Sequence, residues 1–74
     1  MLTKLQNIFQ EVFDDEQLVL RDETSPESLD AWDSLGHIRL IAALEDEFQL
    51  TFTLEEIEVM GSVGKIRSVL ADKE

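Results

Sequence analysis

Residues 33–48 read DSLGHIRLIAALEDEF, and the period of that stretch decides the fold. At about 100° per residue, Leu40, Ile41, Leu44 and Phe48 fall on one arc, the apolar stripe that a helix buries against a core. The pattern predicts a helix from Ser34 to Phe48, capped by Asp33 or Ser34, since either side chain accepts hydrogen bonds from the free N–H groups of a first turn. Leu35, Ile38 and Ala42 occupy an adjoining arc on the side of Ser34 and Glu45, which makes the apolar surface wider than one small core requires. The excess is either cover for a loop or a docking face. Glu45, Asp46 and Glu47 close the helix, where its dipole is negative and basic residues would be favoured. They form either a solvated face or an acidic patch shared with Glu55, Glu56 and Glu58 of the next segment.

On the N-terminal side, Leu2, Leu5, Ile8, Phe9, Val12 and Phe13 recur at steps of three and four, which predicts an amphipathic first helix. Thr3 and Gln6 have the spacing of a capping box at its start. Residues 14–33 break the period and hold the only proline, with Ser25-Pro26 opening a turn or a single helical turn. A loop of that length in so short a chain needs anchors, and Leu18, Leu20 and Leu29 are the residues expected to pin it to the core. On the C-terminal side, Thr53 and Glu56 form a second capping-box pattern opening a short helix through Met60, which Gly61 ends. Ser62 then caps a last helix carrying Val63, Ile66, Val69 and Leu70. No strand pattern longer than QLTFT interrupts the series. The expected fold is all-α, a small bundle of three main helices plus one short helix in a single domain over residues 1–74.

Composition narrows the functions. Seventeen acidic residues against six basic ones give a net charge of −11, a field that repels nucleic acid and anionic membranes and attracts basic protein surfaces. Without cysteine, neither a disulfide framework nor a thiolate metal site can form. The opening MLTKLQNIFQEVF lacks the apolar run and cleavage site of a leader, so the cytoplasm is the expected location and a monomer the expected state. His37 lies three residues after Ser34, but a serine-hydrolase reading lacks a Gly-x-Ser-x-Gly turn and a carboxylate placed to orient the imidazole. Asp14, Asp15 and Glu16 lack the ligand spacing and central glycine of a helix-loop-helix calcium site, and no metal is expected.

The run DSLGHIRLIAALEDEFQLTFTLEEIEVMGSVGKI, residues 33–66, resembles the acyl carrier proteins: Asp-Ser-Leu opening the second helix, an apolar stripe, an acidic third helix and a Ser-Val start to the fourth. The resemblance implies that Ser34, flanked by Asp33 and Leu35, receives a 4'-phosphopantetheine arm from coenzyme A through a separate phosphopantetheinyl transferase. The arm's thiol then carries acyl groups as thioesters. It implies no catalysis by the chain itself, and it implies partners that load, condense or transfer acyl groups in fatty-acid, polyketide or related lipid synthesis through basic docking surfaces. The expected partner face comprises Ile38, Arg39, Ala42, Glu45, Asp46, Glu55 and Glu56. Gly36, His37 and Arg39 stand where many fatty-acid carriers have acidic residues, Trp32 replaces a small residue, and Gly64 lies in the first turn of the last helix, where it costs about 1 kcal/mol relative to alanine. These departures suggest a specialised carrier. Aminoacyl or peptidyl carriage, and an acidic helical adaptor without a prosthetic group, are the alternatives.

Overall fold

The computed structural model describes residues 2–73, with the side chain of Leu2 outside that description. It holds four helices, α1 (Leu2–Val12), α2 (Ser34–Phe48), α3 (Leu54–Val59) and α4 (Val63–Lys73), and no strand among the described residues. The expected α2 has the limits its periodicity gave it. Leu5, Ile8 and Phe9 from α1 meet Leu40, Ile41 and Leu44 from α2 and Val63, Ile66 and Leu70 from α4, and all nine are buried. Each set recurs at helical spacing, so three stripes share one core. Phe48 is only half-buried, because it lies at the end of its stripe, where the Lys4 ammonium sits 4.8 Å from its ring centroid.

The long connection between α1 and α2 is stitched down at both ends. Leu20 is buried, and Leu18 and Leu29 pack against the core as expected. The Gln6 side chain accepts from the Leu20 N–H at 2.9 Å, and the Gln10 amide donates to the Leu18 carbonyl at 2.9 Å. Thr3 and Gln6 therefore do not form a capping box: Thr3 lies inside α1, and Gln6 is engaged by the connection. A single turn at Ser25 is closed by the Leu29 N–H donating to the Ser25 carbonyl at 3.0 Å. Further on, Val63 N–H donates to the Thr24 carbonyl at 3.0 Å and Gly64 N–H to the Asp22 carbonyl at 2.9 Å, so the connection supplies acceptors for the first turn of α4. Arg67 adds an ion pair to Asp22 at 2.6 Å. A Cβ at position 64 would stand 3.3 Å from the Asp22 carbonyl oxygen, which gives Gly64 a packing reason that offsets its poor helix propensity.

The α3 segment is the least embedded. It contributes no buried residue, and only Ile57 packs partly against the core, with the fully buried Met60 just beyond its end. Its N-terminus carries the expected capping box, Thr53 Oγ1 accepting from Glu56 N–H at 3.1 Å and Glu56 Oε1 from Thr53 N–H at 2.8 Å. The helix ends at Val59 rather than Met60, and Gly61 does not take the left-handed conformation that would make it a glycine cap. That conformation occurs instead at Gln49, φ 55°, ending α2. The Thr53 N–H and the Lys73 ammonium, 2.9 Å from Oε1, hold the Glu56 carboxyl below the ordinary carboxylate range. A carboxylate whose folded value lies below its unfolded one stabilises above the unfolded value, and this contribution is lost as pH falls through the folded value. Glu56→Ala is accordingly expected to melt below the wild type at neutral pH, with the gap narrowing in acid, as thermal melts at the two pH values check.

Gly36 fixes how closely the connection approaches α2. A Cβ there would lie 2.5 Å from the Ala31 carbonyl oxygen and 2.8 Å from the Phe13 ring, and the first neighbour is backbone that cannot swing aside. Alanine normally gains about 1 kcal/mol over glycine inside a helix. Gly36→Ala should nevertheless lower the melting temperature, because the overlap forces the connection away from the helix start.

Candidate functional site: the exposed serine that opens α2

Asp33 is the N-cap of α2, its side chain accepting from the Gly36 N–H at 2.8 Å while its carbonyl accepts from the His37 N–H at 2.8 Å. Ser34 is thereby the first helical residue and not the cap, which resolves the choice left open by the sequence. Its side chain is exposed and makes no hydrogen bond among the described residues, and the N–H groups of Ser34 and Leu35 have no acceptor there either. A hydroxyl thus stands free beside two free donors at the positive end of a fifteen-residue helix, a setting that favours an anion bonded to that oxygen.

Two depressions flank the serine. On the α3 side an open groove of about 610 Å³ begins at Ser34 and is bounded by Pro26 and Trp32 of the connection, His37 and Ile38 of α2, and Glu58 and Met60. On the α1 side a smaller recess of about 230 Å³ is bounded by Phe13, Asp14, Leu35 and Arg39. Ile38 and Arg39, grouped together on the expected partner face, therefore open onto different sides of the helix start.

The groove's back wall is held by a chain of hydrogen bonds that periodicity does not reveal. Trp32 is 1% exposed, its indole set edge-to-face with the Phe9 ring, the planes at 81° and the centroids 5.2 Å apart. Its Nε1–H donates to His37 Nδ1 at 2.9 Å, with the two rings inclined by only 19°. An indole nitrogen can only donate, so Nδ1 must accept and the imidazole proton resides on Nε2. Nε2–H then donates to the Ile57 carbonyl at 3.1 Å. The connection, α2 and α3 are joined through one imidazole. The sequence carries one clue: a buried tryptophan needs an acceptor, and His37 is five residues away.

Leu35, expected at the attachment site, and the expected partner residues divide by their engagement. Leu35 and Ile38 are 57% and 67% exposed, and Ala42, Asp46 and Glu55 are exposed as well. Glu45 and Glu56 are half-buried and already bonded, Glu45 Oε2 accepting from the Phe52 N–H at 2.9 Å and Glu56 within its capping box and the Lys73 pair. Glu58, exposed beside the groove, is the carboxylate better placed to meet a partner there. No group of three or more potential metal ligands occurs among the described residues, and none of their helices is long and apolar enough to cross a membrane.

Fold and site together define a small helical scaffold that presents one serine hydroxyl at a helix start. The solution structure of a holo acyl carrier protein from Geobacter metallireducens has the same fold, with a TM-score of 0.90 and 42% identity over 97% of this chain and 83% of that one. The chain belongs to the acyl carrier protein family. A candidate acyl carrier protein from Mycobacterium tuberculosis shares the fold at 19% identity, with a TM-score of 0.86 over 99% of this chain and 97% of that one. No protein-family model matches the sequence, and no curated protein matches it.

Proposed function

We propose that this chain carries acyl groups as thioesters on a 4'-phosphopantetheine arm bonded to Ser34, and that it serves partner enzymes without being a catalyst itself. The observation that carries the reading is the free Ser34 hydroxyl beside the two unpaired N–H groups of Ser34 and Leu35. These residues fit the group: the donors suit a phosphodiester on Oγ, and the groove that starts at Ser34 offers an apolar bed for an arm. In loading, the Ser34 oxygen bonds to the phosphorus that carries the pantetheine. The pyrophosphate link of coenzyme A breaks, the adenosine half leaves with the other phosphate, and the hydroxyl proton is taken up by the transferase. The arm supplies the thiol that a chain without cysteine lacks. Asp33 acts by fixing the helix start, so Asp33→Ala slows loading without forbidding it. Incubation with coenzyme A and a phosphopantetheinyl transferase, read by intact mass, tests the assignment.

Partner choice is assigned to the exposed residues around this site: Leu35, Ile38, Ala42, Asp46, Glu55 and Glu58, met by basic surfaces on acyl-loading, condensing or transfer enzymes. Arg39 interrupts that acidic surface from the α1 side and discriminates by repulsion, as expected of a carrier dedicated to one pathway. Arg39→Glu is expected to tighten binding to a basic fatty-acid synthase enzyme by about 2- to 5-fold, as for an exposed ion pair, and to weaken binding to the cognate partner. Affinities for both partners at two ionic strengths check this, since a rim contact fades with salt.

A further inference from the structure

We propose that the Trp32–His37–Ile57 chain of hydrogen bonds is a latch that bars the interior to the cargo, so that a short or medium acyl tail stays outside the core. The proposal rests on Ser34 being the attachment point. The groove that starts at Ser34 leads toward the core, but its floor is closed: Trp32 is 1% exposed and Met60 is fully buried. The wall is least embedded at the seam between α2 and α3, because α3 contributes no buried residue and packs on the core only through the partly buried Ile57. Across that seam His37 Nε2–H binds the Ile57 carbonyl, while Nδ1 is held by the indole of a tryptophan locked edge-on against Phe9. A tail entering the seam must break the His37 to Ile57 bond, turn the imidazole away from a buried indole N–H that has no other acceptor among the described residues, and displace Met60. Those costs fall due at the first step, whereas the gain from burying a tail accrues one methylene at a time. His37 is thus a specificity-determining residue: it sets how the cargo is held, leaving the tail accessible to partner enzymes.

The test loads the full chain with acetyl, hexanoyl and octanoyl phosphopantetheine from the matching coenzyme A thioesters. Intact mass comes first, and a chain that takes up no group contradicts the Ser34 assignment and not the latch. With loading established, the wild-type melting temperature, the Met60 methyl shift and the exchange of the Trp32 indole proton are expected to be the same for all three tails. In His37→Ala the octanoyl form is expected to melt above the acetyl form and to shift the Met60 methyl. His37→Gln, whose amide can accept from the indole and donate to the carbonyl, should restore the wild-type pattern. Should His37→Ala not fold, His37→Phe, which fills the space but cannot bridge, takes its place. A length-dependent rise in wild-type melting temperature with a moving Met60 methyl overturns the proposal. So does a His37→Ala or His37→Phe protein that remains indifferent to tail length, since the barrier then lies elsewhere.

Discussion

Replacing Trp32 by alanine is expected to unfold a large part of the population at physiological temperature. Loss of a fully buried aromatic side chain costs about 3–5 kcal/mol through the cavity left behind. Single domains hold about 0.05–0.15 kcal/mol per residue, so a chain of this size has little in reserve. The cost at this site should lie toward the upper end, because Trp32 combines edge-on contact with Phe9 and the hydrogen bond to His37. Trp32→Phe separates the two contributions. It keeps much of the volume and removes the donor, and the expected loss is about 1–2 kcal/mol. Denaturant unfolding of both variants checks the ordering. A Trp32→Phe loss equal to that of Trp32→Ala would mean that the bond to His37, and not the packed ring, is the main term.

The second large effect is on loading. Ser34→Ala is expected to abolish attachment of the arm while changing stability by less than about 0.5 kcal/mol, as for exposed positions generally. The small stability term follows from the cap assignment: Asp33 holds the first turn, and the Ser34 side chain makes no bond there. The complete loss follows from chemistry, since without that oxygen there is nothing for the phosphorus to bond to. Intact mass after incubation with coenzyme A and a transferase, paired with a thermal melt, separates failure to load from failure to fold.

The parts of this molecule that could be read from sequence are those whose partners lie within one turn. Leu40, Ile41 and Leu44 announced α2 by their spacing, and Thr53 with Glu56 announced the start of α3 by a reciprocal bond over three residues. Where the partner is distant, the same rules misassigned the residue. Gln6 looked like half of a capping box because nothing local reveals that Leu20, fourteen residues on, needs an acceptor. Gly36 and Gly64 read as a departure and as a weak point, yet both sit where backbone of the α1–α2 connection comes close to a helix start. Trp32 belongs to no periodic segment, so neither its burial nor its bond to His37 has a pattern. At the candidate site, the place of Ser34 at the start of α2 followed from the helix pattern, and the capping-box pattern already committed Glu56, whereas the engagement of Glu45 depends on a backbone N–H at Phe52, seven residues on, that no side-chain pattern displays.

The central claim is that Ser34 is where the arm is attached. It is tested most directly by incubating the purified wild-type chain with coenzyme A and a broad-specificity phosphopantetheinyl transferase, then fragmenting the product in a mass spectrometer. The expected result is the mass of one phosphopantetheine per chain, located on Ser34. No gain in mass, or a group found on Ser25, Ser28, Ser62 or Ser68 instead, would contradict it.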